Sequence, residues 1–411
     1  MADRSVDYLI VGGGVAAGAC ARTLPELGVD GSVLLVTREP DPPYYRPALS
    51  KEYLSGKDAR EGVWSEPPHW YEQHGIELLT GTSVMKLDLG ERVAKLSTRE
   101  DVSFGKALLA TGANVRRLRV DGCDLDGIHY LRSFGNADAI RAESEDVERV
   151  VLIGGSFIAC EVAATLTALG RSCALVCQEE RTFDRQFGTE IGGFFQGILE
   201  EHGVEVHNAD ELDRYEGSGR VERVVTKAGL ELDCGLVVVG AGVAPDTMLA
   251  KGAGLELGAF GGVRASDRLE TSVDGVYVAG DTAEYDSPLH AGPVRIEHWE
   301  VASEHGKTAA RNMVGQDSPH DAIPYFWSDL SDWGGFEYVS AGRPEGDPVI
   351  RGSLDEGSFT AFWLADDDGR LLAAMTAGRS DDLDAARRML SEHATPDRAR
   401  LADESTDLAT L

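Results

Sequence analysis

The sequence predicts an α/β fold with two Rossmann-like dinucleotide-binding domains and a small α+β domain after them, and three observations carry that reading. Residues 7–39, DYLIVGGGVAAGACARTLPELGVDGSVLLVTRE, run from an apolar strand through three glycines and an alanine-rich helix to a second apolar strand that ends shortly before an acid. The pattern returns at 149–176, RVVLIGGSFIACEVAATLTALG and the apolar run that follows. Past residue 320 the chain becomes aromatic-rich and then alternates in short runs.

In the first cradle each residue type has a physical task. Gly12 permits the tight turn, Gly14 lets the backbone approach a pyrophosphate, and Ala17 is small enough for close packing of helix on strand. The helix N-terminus then offers unpaired N–H groups and partial positive charge to the phosphates. Glu39 is placed to accept from ribose hydroxyls. The next stretch holds Pro40, Pro42, Pro43 and Pro47, which forbid a regular element until a short helix near Lys51. Arg46 and Lys51 project from it, either towards a ligand or as solvated surface bases.

Residues 75–112 read as strands joined by turns and end in Ala110-Thr111-Gly112, where a glycine after a buried strand lets backbone come close to a ligand. The second cradle has Ser156 at the second glycine position and Ala159 at the third, and a serine there is expected to crowd the pyrophosphate slightly. A buried strand at 236–239 leads into GAGVAPDT, and another at 276–279 into Gly280-Asp281. Asp281, ahead of a helix-like run at 297–312, either accepts from a ligand hydroxyl or serves as a helix cap. VIRGSL, SFTAFWLA and LLAAMTAG form an antiparallel meander with its turn at 366–369. A helix at 382–393 follows, and the last dozen residues read as a weakly structured end.

Composition narrows the function. With 411 residues, 42% apolar content and 48 glycines, the chain suits a multidomain α/β enzyme. No apolar run approaches the roughly 20 residues that span a bilayer, and a charged start leads straight into the first strand, so a cytoplasmic protein is expected. A net charge of −31 disfavours nucleic acid and anionic membranes. Cys20, Cys123, Cys160, Cys173, Cys177 and Cys234 form neither a CxxC pair nor zinc spacing, and Cys173 and Cys177 read as strand packing. No metal is expected: His298 and His305 share a helix face without a third ligand at suitable spacing.

Two cradles, ATG, GAGVAPD and AGD in this order resemble the two-dinucleotide flavoprotein disulfide reductases, glutathione-reductase-like in fold. PYYRPALSK, RIE before a helix, and FWSD narrow the resemblance to the NAD(P)H-dependent ferredoxin reductases, the class of putidaredoxin reductase, rubredoxin reductase and apoptosis-inducing factor. It covers the chain to about residue 345, and the meander beyond in outline only. It implies FAD on Gly12, Gly14, Ala16, Ala17, Glu39, Arg46, Lys51, Val84, Thr111, Gly112, Arg132, Asp281, His298 and Trp299. It implies NAD(P)H on Gly154, Ser156, Phe157, Ile158, Glu161 and Gly242, and makes Lys51 and Glu161 an ion pair beneath the flavin. The implied domains are 1–116 with 243–318 for FAD, 117–242 for NAD(P)H, and 319–411 closing over the flavin.

Hydride transfer between stacked rings needs no general acid or base, so the catalytic residues are those that set orientation and field, here Lys51 and Glu161. The cysteines through which the wider superfamily passes electrons are absent from the corresponding positions, and Cys20 sits inside the cradle helix. Electrons therefore leave the flavin directly. A ferredoxin-type protein acceptor is expected, docking on a local basic patch that includes Arg116, Arg117 and Arg119, on a monomer or homodimer. The alternatives are a small oxidant or oxygen, or a redox-controlled interaction protein of the apoptosis-inducing-factor kind, whose DNA-binding basic footprint this acidic chain lacks. At the end of the second cradle's distal strand, the position that grips the adenosine ribose falls on Cys177 or Gln178, neither of which makes that contact. Glu179 and Glu180 just beyond repel a 2′-phosphate, against Arg181 and Arg185 further along, so NADH is favoured.

Overall fold

The structure is a computed structural model that describes residues 2–290, 292–344 and 346–411. The chain divides into two compact units, each assembled from three stretches of sequence. One comprises Met1–Arg46, Arg60–Asn114 and Val243–Pro324; the other comprises Pro47–Ala59, Val115–Gly242 and Tyr325–Leu411.

In the first unit the strands Ile76–Leu79, Val33–Val36, Arg4–Val11 and Asp101–Leu109 lie side by side in parallel, and Val276–Val278 adds to the far side of the last. Leu9, Ile10, Leu34, Leu35 and Leu108 have no exposed surface, as continuous apolar runs must when a parallel sheet is covered on both faces. The first half of Asp101–Leu109 also pairs antiparallel with Val93–Leu96, which pairs with Val84–Asp88. The helix Val15–Glu26 packs closely on the helix Trp299–Met313. Their separation is set by small residues: a Cβ on Gly306 would collide with the Ala16 carbonyl and crowd Ala19.

The turn that follows Val276–Val278 is a 3₁₀ segment, Gly280–Thr282, braced from below by histidines. The Gly280 N–H donates to His305 Nδ1 at 3.2 Å, the His320 ring meets His305 edge-on at 4.4 Å, and Tyr285 packs edge-on against both. His305 and His320 are buried, and burial holds both imidazoles neutral, His320 at about 4 and His305 well below its usual value.

The second unit repeats the parallel arrangement with strands Glu205–His207, Ser172–Val176, Arg149–Ile153, Leu236–Val239 and Ile128–His129. Its antiparallel sheet has the order Tyr325–Asp329, Gly335–Ser340, Leu371–Ala377, Ser358–Leu364, Val349–Ser353, backed by the helix Ser380–Ser391. Phe157, Phe183, Phe187, Phe326 and Phe336 form one aromatic cluster, with ring centroids between 4.5 and 6.5 Å apart.

Two expectations are corrected here. The anticipated helix near Lys51 is a 3₁₀ turn over Arg46–Ser50, which stops just before the lysine. The end of the chain is ordered: Arg351, buried under it, donates to the carbonyls of Leu401, Asp403, Glu404 and Thr406, and Arg388 donates to those of Leu408, Ala409 and Leu411. A polar tail looks solvated in sequence, but its carbonyls are the acceptors that let a guanidinium stay buried.

Candidate active site

The two glycine turns are built alike down to individual bonds. The Gly12 N–H donates to the Val36 carbonyl at 2.9 Å and the Gly154 N–H to the Val176 carbonyl at 2.8 Å. Gly12 has φ +132° and a Cβ there would strike the Ala110 carbonyl; Gly154 has φ +118° and a Cβ would strike that of Gly240. Both turns thus press on the strand end across the sheet, where order reverses and ligands bind in such folds. Next to them, Gly13 leaves no room beside Thr37, nor Gly155 beside Cys177.

The helices that follow have N-termini left open by the protein. Val15–Glu26 and Phe157–Ala168 begin at Gly14 and Ser156, with no side-chain cap and no acid in the first turn. Free N–H groups and the helix dipole face outward at both, which is the donor set a pyrophosphate takes, so the residues fit FAD and NAD(P)H. The serine leaves the backbone of the turn unchanged. Gly14 and Ser156 share extended dihedrals (−90°, −177° and −108°, −176°), and a Cβ on Gly14 meets nothing within 4 Å.

The acids after the second strands also correspond. Val36, Thr37, Arg38, Glu39 match Val176, Cys177, Gln178, Glu179, because the connection from helix to strand is shorter in the second cradle. The residue in the register of Glu39 is therefore Glu179, and not Cys177 or Gln178. Cys177 is buried with its thiol turned to the Asn208 side-chain oxygen at 3.2 Å, and Gln178 is exposed. The Glu179 carboxylate lies 3.4 Å from where a Cβ on Gly155 would be, and Arg185 holds its other oxygen at 2.8 Å.

In the first unit Arg46 is turned inward. Its guanidinium pairs with Glu39 at 2.5 Å and donates to the Tyr44 hydroxyl at 2.6 Å, while that hydroxyl donates to Glu39 at 2.7 Å. Burial opposes its charge, but Tyr44, Glu39 and Asp281 outweigh it, and the pKa lies above the ordinary value. Thr111 donates to the Asp246 carbonyl at 2.6 Å, and Gly112, with φ +70°, accepts from the Asp246 N–H at 2.8 Å. Asp281 lies in the braced 3₁₀ turn, Trp299 meets Tyr45 edge-on at 5.1 Å, and burial holds His298 down at about 4. Val84 is half-buried at the start of its strand.

In the second unit Lys51 is buried, not a surface base. Its ammonium lies 3.4 Å from Glu161 Oε1 and 2.7 Å from Asp329 Oδ2, with the Trp327 ring 5.0 Å away. Both oxygens of Glu161 accept from hydroxyls at 2.6 Å, Oε2 from Ser50 and Oε1 from Ser328. Burial works against the Lys51 charge, but Glu161 and Asp329 raise its pKa above the usual lysine value. Burial pushes Glu161 up, while Lys51, Ser328 and Ser50 pull it back. Asp329, Ser50 and Ser328 escape a reading from the residues alone, since the aspartate is far from Lys51 in sequence and serines carry no pattern. Phe157 packs on Phe326 at 4.5 Å, Ile158 is exposed, and Gly242 has φ +80° with open space beside it. Arg132 lies just ahead of the helix Phe134–Glu145, its N–H donating to Asn136 at 3.2 Å.

Residues 6–306 match the family model described as pyridine nucleotide-disulphide oxidoreductase, and 325–411 match one described as reductase C-terminal. The chain is 32% identical to the ferredoxin-NAD(+) reductase component of the anthranilate 1,2-dioxygenase system of Burkholderia cepacia, over 98% of each chain. Among solved structures it is similar to a ferredoxin reductase of Rhodopseudomonas palustris, with 31% identity, a TM-score of 0.93, and coverage of 98% of this chain and 99% of that one. It is also similar to a structure of the covalent putidaredoxin reductase-putidaredoxin complex, with 29% identity, a TM-score of 0.91, and coverage of 100% and 98%. With matched cradles for two dinucleotides and these relatives along its whole length, the chain belongs to the pyridine nucleotide-disulphide oxidoreductase family, as an FAD- and NAD(P)H-dependent reductase of the ferredoxin reductase type.

Proposed function

We propose that the protein takes a hydride from NADH onto bound FAD and hands the electrons singly to a ferredoxin that serves an oxygenase. The observation that carries this is the pair of matched cradles, each with an open helix N-terminus and an acid in the same register. FAD, when bound, accepts the hydride and releases electrons one at a time. The protein's own residues hold the pyrophosphates on Gly12 to Ala17 and Gly154 to Ile158, and Lys51 supplies fixed positive charge where the reduced ring gains negative charge. Replacing Lys51 with Met is expected to slow reduction by NADH about 10- to 150-fold with FAD retained, equivalent to about 1 to 3 kcal/mol. A stopped-flow reduction rate equal to the wild type's removes Lys51 from the mechanism.

Electron exit without a thiol relay is supported by the cysteines. Cys20, Cys160, Cys173, Cys177 and Cys234 are buried, and burial pushes every one of these thiols up, Cys173 to about 11 and Cys177 and Cys234 to about 12, so thiolate is scarce at neutral pH. The six thiols are all free, as suits a cytoplasmic protein. No helix among the described residues is long and apolar enough to cross a membrane. Arg116, Arg117 and Arg119 are exposed and offer a basic patch to an acidic carrier. The test is cytochrome c reduction driven by NADH. It should be rapid only when a ferredoxin is added, and ferricyanide reduction should survive alkylation of accessible thiols. Fast oxygen consumption without ferredoxin would point instead to a small-oxidant reductase.

The register of Glu179 supports NADH, because a carboxylate there accepts from the ribose hydroxyls and repels a 2′-phosphate. Arg185, 69% exposed, is a weak and movable partner. The kcat/KM ratio should favour NADH by roughly 10-fold, on the order of 1 to 2 kcal/mol, and Glu179→Gln should narrow it. A tenfold preference for NADPH defeats this assignment.

A further inference from the structure

The strand Tyr325–Asp329 uses its side-chain alternation on two targets at once. Phe326 and Ser328 point one way, onto Phe157 and Glu161 of the helix Phe157–Ala168; Trp327 and Asp329 point the other way and both reach the Lys51 ammonium. The short hydrogen bond of Lys51 is the one to Asp329, at 2.7 Å, and Glu161 stands off at 3.4 Å. Glu161 is held in place by Ser50 and Ser328, and Ser50 is itself tied by its carbonyl to the Thr165 hydroxyl at 2.7 Å, one helical turn beyond Glu161. Lys51 is thus shared between a fixed, buried carboxylate and an outer one whose side chain is 40% exposed.

We infer that Asp329 is a positioning residue that restrains the Lys51 charge and so sets how far that charge favours the reduced flavin. This rests on the proposal that Lys51 acts on the flavin. Neutralising Asp329 leaves the ammonium with Glu161 alone and makes the local field more positive, while removing Lys51 makes it more negative. The two substitutions therefore have opposite signs, which a merely structural role does not produce.

The test is equilibrium reduction of the holoenzyme by NADH, followed by flavin absorbance, in Lys51→Met, Asp329→Asn and Asp329→Glu. Lys51→Met is expected to shift the equilibrium at least threefold towards oxidised flavin, Asp329→Asn at least threefold towards reduced flavin, and Asp329→Glu to restore the wild-type value. Independently of turnover, the Lys51 ammonium, followed by NMR of ¹³Cε-labelled lysine, should titrate at lower pH in Asp329→Asn. If Lys51→Met shifts the equilibrium but Asp329→Asn leaves it unmoved or moves it the same way, the role of Asp329 is overturned and that of Lys51 stands. If Lys51→Met itself changes nothing, the proposal beneath both fails.

Discussion

Gly12→Ala should yield a protein that holds no FAD, and in most preparations one that does not fold. The substitution forces a side chain onto a backbone at φ +132° and into the Ala110 carbonyl, which cannot retreat because its strand Asp101–Leu109 is paired on both sides. Backbone strain of about 1 to 3 kcal/mol and overpacking of about 1 to 3 kcal/mol act together. Their sum consumes much of the roughly 5 to 15 kcal/mol by which a domain is stable. Gly154→Ala makes the same collision with Gly240 in the other unit and should give the complementary result: a yellow protein whose flavin NADH no longer reduces at an appreciable rate. Flavin content read from the visible spectrum and NADH affinity read from titration separate the two. A Gly12→Ala protein with full flavin content would show that the turn tolerates what its geometry forbids.

Acid should weaken the protein well before its carboxylates are protonated. His320 is buried with its pKa held near 4, chiefly by burial, with Glu304 and Asp321 opposing; His305 is held well below its usual value by burial and by His320. In the unfolded chain both recover a value near 6.5. Because the folded values are the depressed ones, their contribution is fully present above about pH 6.5 and is lost as pH falls towards 4. For His320 alone the loss is about 3 kcal/mol over that window. In the folded chain His305 stays neutral through that window and keeps accepting from the Gly280 N–H, so the turn carrying Asp281 keeps its brace and flavin release should follow unfolding rather than precede it. Urea midpoints and flavin fluorescence between pH 7.5 and 5 measure both, and His320→Asn should flatten the slope. A stability constant over that range would mean the histidines are not buried neutral.

Much of this architecture could be read from the sequence because glycine turns, apolar runs and the acids after them are local. Gly12, Gly14 and Glu39 lie within one strand-turn-helix-strand unit, and its repetition at Gly154 and Ser156 announced the second. Failures came where position is set by something remote. Reading from the end of the distal strand points to Cys177 or Gln178, and only the alignment of the two folded strands shows that Glu179 stands where Glu39 does. The ordering of the last dozen residues depends on Arg351, buried about fifty positions earlier, which no window on the tail contains. Lys51 and Glu161 were paired by resemblance alone, and Asp329 remained hidden because only folding brings the strand Tyr325–Asp329 to the lysine.

The threading of the chain also bears on how the protein is made. The helix Val15–Glu26 is synthesised well before its covering partner, Trp299–Met313, which follows only after most of the second unit has been made. Until then the small apolar face around Ala16 and Ala19 and the open side of the strand Asp101–Leu109, which awaits Val276–Val278, stand unprotected. Such late closure of early surfaces slows folding and invites association between nascent chains, so recovery of soluble protein should respond more to slower translation, lower temperature and chaperone supply than to any single surface substitution.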